Sequence, residues 1–228
     1  MQNDLGQPIG TAVNWQGATP PPRMVLEGRY CSVVPLMPSH APDLFAATQL
    51  DADGKNWTYL PDGPIRDLAA FTAWAEKASL STDPLFSAII SAETGKAVGY
   101  ATFMRITPQM GTIEIGNIHL SPALQGRRAS TEMQYLMMKQ AFALGYRRYE
   151  WKCDSLNAPS RRAAERLGFT FEGIFRQALV YKGRNRDTAW FSVTDKDWPA
   201  LEKAFVNWLS PDNFDQSGKQ VQRIQNFR

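Results

Sequence analysis

Glu114 and His119 are the two side chains best suited to proton transfer, and both lie in the apolar segment IEIGNIHL. A carboxylate could take a proton from an attacking ammonium, directly or through water, if burial makes it basic enough. Imidazole titrates near neutral pH, so His119 is a rival. On a regular strand, however, two residues five positions apart point to opposite faces. The segment predicts a proton acceptor, with Glu114 as first candidate, because a lone histidine in an apolar strand is more often structural.

A second segment, NAPSRRAAERLGFTFEG at residues 157–173, combines a helix start, a short helix, a helix stop and a strand. Asn157 can cap a helix N-terminus, Pro159 suits the first turn, and Gly168 can take the left-handed conformation that ends a helix. Ser160 offers a hydroxyl at the helix start, which is available for chemistry or for capping. The pattern predicts a helix over residues 160–167.

The segment between these two predicts an anion site. Apolar residues recur at three and four positions over residues 124–144 and indicate the longest helix, which Gly145 ends. A strand at residues 112–120 precedes it, with a short turn after Pro122. The N-terminus of a helix presents unpaired amide hydrogens and a partial positive charge. We therefore expect an anionic group to bind where this strand leads into this helix.

The remaining elements follow from apolar periodicity and turn residues. Further strands are predicted at residues 29–34, 85–92, 97–106, 146–152, 169–180 and 188–194. Further helices are predicted at residues 43–50, 65–78 and 201–209. This order indicates an α/β (mixed α+β) fold, with a central, mostly antiparallel twisted sheet of about seven strands and helices on both faces.

Composition excludes several classes of protein. The net charge of +3 over 228 residues is too small to indicate a nucleic-acid partner. No apolar run approaches the ~20 residues that span a bilayer, so no membrane contact is expected. The two cysteines, Cys31 and Cys153, form no C-x-x-C pair, which favours reduced thiols in the cytoplasm. With two histidines and no H-E-x-x-H motif, no metal site is expected.

The chain is expected to form one domain with an appendage at each end. Residues 1–23 are predicted to be a flexible, proline-rich extension that is neither a signal peptide nor a membrane anchor. Residues 24–199 are predicted to form the domain, and residues 200–228 a C-terminal helix and a polar tail. The apolar stripe of Trp198, Phe205 and Trp208 could pack on its own sheet or between two copies, so both a monomer and a homodimer are considered.

The pattern N-x-x-S-(x)4-E-R-L-G-F of the second segment resembles motif B of the GCN5-related N-acetyltransferases (GNAT), especially the RimJ/RimL type. The resemblance covers about residues 24–199 and implies the GNAT fold. It further implies an N-acetyltransferase that moves an acetyl group from acetyl-CoA to a primary amine, on a small molecule or a protein N-terminus, by direct attack.

Motif A of this family wraps the pyrophosphate of acetyl-CoA with backbone amides, and it aligns here with residues 125–130. Arg128 stands where the family usually has glycine, so we expect either a backbone without positive φ or a strained one. Its guanidinium could also contact phosphate. The resemblance implies donor contacts from Ile118, His119, Leu120, Gln125, Gly126, Arg127, Arg128, Ala129, Ser130, Thr131 and Asn157.

The resemblance also assigns catalytic roles. Glu114 has the offset from Gln125 of a catalytic glutamate in the histone-acetylating branch, although in RimJ/RimL-type proteins an EIG segment could simply order the strand. Family members usually splay this strand with a bulge, which would change the faces that its side chains reach. Ser160 could protonate the departing thiolate, since Ala164 stands where many members have the tyrosine acid. Tyr181 is at best a distant substitute.

The sequence says less about which amine is the acceptor and about whether the protein is catalytic than it does about the family. Trp57, Tyr59 and Phe103 either line the acceptor pocket or pack in the core. The altered motif A and the missing tyrosine also motivate an alternative, a non-catalytic CoA-binding sensor or interaction module with the same fold. A nucleotide-binding enzyme is excluded, because neither G-x-G-x-x-G nor G-x-x-x-x-G-K-[ST] occurs.

Overall fold

The computed structural model describes residues 1–228. The strands are β1 Leu26–Glu27, β2 Cys31–Pro35, β3 Leu85–Ser91, β4 Ala97–Thr107, β5 Thr112–Leu120, β6 Arg148–Asp154, β7 Thr170–Tyr181 and β8 Arg184–Thr194. The helices are α1 Ala41–Gln49, α2 Leu68–Leu80, α3 Arg128–Ala143, α4 Ala158–Leu167 and α5 Trp198–Trp208. The longest helix, α3, has 16 residues, and no helix is both long and apolar enough to cross a bilayer.

All strands belong to one sheet in the order β1-β2-β3-β4-β5-β6-β8-β7. Every neighbouring pair is antiparallel except β5 and β6, which are parallel because α3 crosses over between them. The predicted mixed, mostly antiparallel sheet is confirmed. It has eight strands rather than about seven, because the two-residue β1 pairs with β2.

Helices cover both faces of the sheet. On one face, Leu44 of α1 and Phe71 of α2 pack with Ala88 and Tyr100 in one buried cluster. Side chains that alternate with these along β3 and β4 point to the other face and join a larger core, to which α3, α4 and α5 contribute. Because the side chains alternate between the two faces, helices pack on both faces of the sheet, as predicted.

The long helix begins four residues later than the periodicity predicts. Leu124 is buried as a helical residue would be, but its amide donates to Ser121 O in a turn, 2.9 Å away. Gly126 then has φ of +68°, which no helix accommodates. The chain therefore enters α3 only at Arg128, and the residues before it form a loop.

Glu132 fixes the N-terminal half of α3 to the start of β2. Its buried carboxylate accepts hydrogen bonds from the amides of Arg29, Tyr30 and Cys31, at 2.8, 2.5 and 2.9 Å. A buried carboxylate that receives three charge-assisted hydrogen bonds is both satisfied and immobile. This contact holds α3 in place next to the sheet.

Both appendages contact the body of the domain. In the N-terminal extension, Trp15 Nε1 donates to Gly145 O at 2.8 Å, and its ring lies where a side chain on Gly111 would have to be. In the tail, Ile224 is 1% exposed within the core. The domain boundaries stay a prediction, but these contacts show that neither end is wholly separate from residues 24–199.

Candidate functional site

The β5–β6 ladder is open at one end. Its pairs run from Thr112 with Arg148 to Ile115 with Trp151 and stop there. Both strands continue, β5 to Leu120 and β6 to Asp154. Beyond the last pair, one edge of β5 has no strand partner, although backbone amides and carbonyls need hydrogen-bond partners. An extended ligand that carries amide groups could fill this gap.

A bulge in β5 accompanies the opening. Tyr100 pairs with His119 and Thr102 with Gly116, so three steps along β5 match two steps along β4. Asn117 has φ of +47°, a left-handed conformation that asparagine adopts more readily than most residues. An extra residue of this kind bends the strand that carries it. The bulge turns the end of β5 away from β6.

The bulge also places Glu114 and His119 on the same face of the sheet. Glu114 pairs with Met104 and His119 with Tyr100, and these two β4 residues share a face because they lie four apart. The expectation from a regular strand, opposite faces, is therefore wrong. The inserted residue shifts the alternation of side chains by one position, so residues five apart in β5 reach the same face.

The gap opens into a cavity of about 420 Å³. Its walls are formed by β5 from Glu114 to Leu120, by β6 from Trp151 to Asp154, by Asn157 and Ser160 at the start of α4, by the β7–β8 hairpin and by the loop that contains Tyr59. The predicted catalytic residues, Glu114 and Ser160, thus share one cavity.

Glu114 is held by two cations. It is 3% exposed, and its Oε2 atom lies 2.8 Å from Arg105 Nε and 2.9 Å from Lys152 Nζ. Lys152 also contacts Glu150, at 2.7 Å. These two contacts hold the carboxylate in a fixed orientation. No protein group donates to Oε1, which leaves this oxygen available to a ligand or to water.

His119 is packed as a core residue. Its ring is 1% exposed and lies between Trp57 and Tyr100, with centroids 4.6 and 5.2 Å away. Neither ring nitrogen has a hydrogen-bond partner. Burial lowers the pKa of His119 to about 4, so the imidazole is neutral and weakly basic at neutral pH. These observations favour the structural interpretation over the base role.

Gln125 ties the loop before α3 to two other segments. Its Nε2 group donates to Asn56 Oδ1 at 2.8 Å and to Leu120 O at 2.9 Å. The side chain therefore positions the loop relative to the end of β5. Among the six residues 125–130, only Gln125 lines the cavity.

Free amide donors lie at the N-terminus of α3. The amides of Gly126, Arg128 and Ala129 donate to no protein acceptor. Space around Gly126 is open, since a Cβ there would meet no atom within 4 Å. Three amides at the positive end of a sixteen-residue helix can bind an anion. This arrangement suits the pyrophosphate of a CoA donor.

Arg128 fits this loop without strain. It is the first residue of α3 and has no positive φ, so the first of the two predicted alternatives holds. Its guanidinium carbon lies 4.3 Å above the Tyr30 ring and 5.4 Å from the Phe214 ring centroid. The side chain is thus stacked on aromatic rings, and only its amide faces the anion site.

The next residues of α3 use their side chains within the protein. Ser130 Oγ donates to the carbonyl of Arg127 at 2.6 Å, and Thr131 Oγ1 accepts from Arg166 at 2.9 Å. The Ser130 amide also donates to Arg127 O, at 3.1 Å, so neither proton of Ser130 is left for a CoA donor.

The start of α4 has the predicted cap. Asn157 Oδ1 accepts from the amide of Ser160 at 3.1 Å, and Gly168 ends the helix with φ of +101°. The Nδ2 group of Asn157 donates to no protein atom and borders the cavity. Ser160 Oγ accepts from Trp151 Nε1 at 3.0 Å instead of capping the helix. Its own proton is not used by Trp151 and reaches the Cys153 thiol, which also lines the cavity.

Sequence reasoning underestimated Tyr181 and missed Asp154. Tyr181 lines the cavity, and its hydroxyl donates to Asp154 Oδ2 at 2.8 Å. Burial, together with this bond, raises the pKa of Tyr181 to about 12. The sequence feature that could have located Asp154 is the alternation of side chains along β6, which puts Lys152 and Asp154 on the same face as Glu114.

The three predicted acceptor-pocket aromatics occupy different places. Tyr59 lines the cavity and donates to Leu156 O at 3.2 Å. Trp57 is buried against His119 rather than in the cavity wall. Phe103 points to the opposite face and packs against Tyr149 in the main core, so a pocket role for it is not carried further.

Comparison with known proteins agrees with this geometry. A family model described as the acetyltransferase (GNAT) domain matches residues 32–170. The chain belongs to the GNAT family. The predicted family is confirmed, and with it an acetyltransferase fold and acyltransferase class. No curated protein matches the chain.

Solved structures of GNAT proteins resemble the chain over most of its length. A GCN5-related N-acetyltransferase from Brucella melitensis is 50% identical over 94% of this chain and 98% of its own, with a TM-score of 0.92. A GNAT-family acetyltransferase from Chromobacterium violaceum is 39% identical over 85% and 99%, with a TM-score of 0.77. RimJ from Mycobacterium smegmatis, in complex with CoA-disulfide, shares the fold at 18% identity over 74% and 84%, with a TM-score of 0.64.

The burial of His119 predicts a loss of stability in mild acid. Its pKa is about 4 in the folded state against an ordinary 6.5, so the unfolded chain binds the proton more tightly between these values. The free energy of unfolding should therefore fall as pH drops from 6.5 to 4, by on the order of 3 kcal/mol from this group. Urea unfolding of the wild type and of His119→Phe across this range isolates the contribution. An equal loss of unfolding free energy in the wild type and in His119→Phe would contradict this contribution from His119.

Proposed function

We propose that the chain is an N-acetyltransferase that transfers an acetyl group from acetyl-CoA to a primary amine, with the cytoplasm as its setting. The observation that carries this proposal is the open end of the β5–β6 ladder, which lies between the free amides of α3 and the free Nδ2 group of Asn157. A donor with an anionic end, an amide-bearing arm and a thioester matches these three features in order.

The residues present fit such a donor. The amides of Gly126, Arg128 and Ala129 would bind the pyrophosphate. The unpaired edge of β5, from Ile118 to Leu120, and Asn157 would hydrogen-bond the amide groups of the pantetheine arm. Amide hydrogens on this part of β5 would also stabilise charge that develops on the thioester oxygen.

In the proposed reaction, the nitrogen of a neutral amine attacks the thioester carbonyl carbon. A nitrogen–carbon bond forms and the carbon–sulfur bond breaks, so the products are an amide and free CoA. The amine must lose a proton, which Glu114 accepts through Oε1, directly or by way of a water molecule. The two cations on Oε2 orient the carboxylate before the reaction.

The departing sulfur needs a proton or a hydrogen bond, and we assign this role to Ser160. Trp151 uses only the oxygen of this hydroxyl, so the proton remains for donation, and the Cys153 thiol is the neighbour that it reaches in the free protein. The Tyr181 proton is already given to Asp154, and its pKa of about 12 makes it a weak acid. Ser160 is therefore the better donor of the two, with Tyr181 shaping the cavity.

No observation favours the alternative of a non-catalytic CoA-binding module. One reason to consider it was the arginine in motif A, and Arg128 is helical and leaves the amide donors free. The other was the missing tyrosine, and Ser160 supplies a hydroxyl in the same cavity. Binding of acetyl-CoA without thiol release for any amine would support the alternative.

Asn157→Ser should separate capping from donor binding. Serine still caps α4, so the free energy of unfolding should stay within about 0.5 kcal/mol of the wild type. The side-chain amide that contacts the donor is lost, so calorimetric titration should show acetyl-CoA binding about 10-fold more weakly. Wild-type affinity in Asn157→Ser would rule out the contact.

Glu114→Gln tests the reaction itself. With wild-type protein, free CoA thiol should appear only when an amine acceptor is present. Glu114→Gln should lower kcat/KM by about 100-fold or more and remove the acid limb of its pH profile, because the proton acceptor is gone. The dissociation constant of acetyl-CoA should change less than about twofold, since Glu114 lies beyond the donor contacts.

The matched control is Glu172→Gln, which removes a carboxylate from an ion pair with Arg148 on the same sheet but outside the cavity. It should leave the rate near that of the wild type. Full activity of Glu114→Gln at every pH would show that Glu114 is not the base. A uniform loss with the acid limb retained would assign it to ordering the strand.

A further inference from the structure

The cavity contains more positive than negative side chains. Its ionised members are Arg105, Lys152 and Arg186 on one side and Glu114 and Asp154 on the other. His119 adds no charge near neutral pH, because burial lowers its pKa to about 4. Burial raises the pKa of the Cys153 thiol and of the Tyr181 hydroxyl, so both are also neutral there. Cations therefore outnumber anions by one among the lining residues, while Glu150, outside the lining, pairs with Lys152.

Arg186 is the cation of the cavity that has no anionic partner. Glu114 contacts both Arg105 and Lys152, and Lys152 has Glu150 as a second partner. Arg186 makes no ion pair, and its buried Nε atom has no hydrogen-bond partner. A buried donor without an acceptor is costly, and native proteins rarely keep one unless a ligand or water completes it. The guanidinium thus needs an acceptor from outside the chain.

Arg186 lies away from the α3 anion site. It is on β8, and β6 separates this strand from β5, which leads into the α3 anion site. Its guanidinium carbon is 5.7 Å from the ring centroid of Tyr181, on the hairpin that closes the cavity. An anion bound there would belong to the acceptor and not to the CoA phosphates.

We infer that the acceptor amine carries a carboxylate, as a free amino acid does, and that Arg186 binds this carboxylate. The inference rests on the proposed function. A guanidinium offers two parallel N–H groups that match the two oxygens of a carboxylate. A single unpaired guanidinium suits a monovalent anion better than a phosphate dianion, which would face Glu114 and Asp154 without compensation. The unpaired guanidinium also disfavours polyamines, since it would repel their additional ammonium groups.

The test compares amino acids with their own amides as acceptors. Alanine, methionine and phenylalanine, each paired with its carboxamide, are assayed by thiol release, together with spermidine. Amidation makes the amine less basic, so at a given pH the amide has more of the reactive neutral form. Preference for the acid would therefore run against intrinsic reactivity. We expect kcat/KM for the best amino acid to exceed that for its amide by about 10-fold or more.

Arg186→Gln should reduce this acid-to-amide ratio by about 10-fold or more, and Arg186→Lys should retain part of it. Arg184→Gln, on the exposed end of β8 outside the cavity, is the matched control and should keep the wild-type ratio. Acetyl-CoA affinity and thermal unfolding of each variant verify that the fold is intact. If Arg186→Gln does not fold, the wild-type ratio alone decides.

Equal or better turnover of the amides, preference for spermidine, or an unchanged ratio in Arg186→Gln would overturn the inference and leave acetyl transfer to amines standing. Turnover of none of these acceptors would also overturn it. Failure to bind acetyl-CoA would in addition overturn the proposed function, so the two failures are distinguishable.

Discussion

The left-handed backbone at Asn117 adds one residue to β5, and the candidate site depends on this bulge. Without it, β5 and β6 could continue their ladder to Leu120 and close the gap with their own hydrogen bonds. With it, the pairing ends at Ile115, and an edge of β5 is left to a ligand. The same extra residue brings Glu114 and His119 to one face. A Cβ on Gly116 beside it would overlap the sulfur of Met104, so any larger residue there would displace that side chain. Local sequence thus determines both the opening and what faces it.

Two buried carboxylates hold the parts that surround the opening. Glu132 accepts three backbone amides at the start of β2 and so fixes α3, whose N-terminus carries the free amide donors. Glu114 is fixed by Arg105 and Lys152 on the other side of β5. Glu114 is balanced by two cations and Glu132 by three amide donors, so neither buried charge is without partners. Arg186 is the exception, and this difference is why the specificity argument rests on it.

Most of the fold could be predicted from sequence because its signals are local. Asn157, Pro159 and Gly168 determine α4 to within two residues through capping and turn conformations. The start of α3 was misplaced because Leu124 continues the apolar periodicity while Gly126 breaks the helix. The site was harder, since it depends on pairing between distant strands. Motif spacing located Glu114, Asn157 and Ser160 in one cavity, but Asp154 and Arg186 required the register of β6 and β8. Phe103 was misassigned because its face follows from the pairing of β4 and not from its residue type.

The most direct test of the account is amide hydrogen exchange at Gly126, Arg128 and Ala129 with and without acetyl-CoA. These amides have no acceptor within the protein, so they should exchange fast in the free chain. If the N-terminus of α3 binds the donor phosphates beside the opened β5, saturating acetyl-CoA should slow exchange at all three. Exchange at the amides on the side of α4 that faces away from the cavity should not change. Binding of acetyl-CoA with no protection at these amides would contradict the assignment of the donor site to the bulge in β5 and the N-terminus of α3.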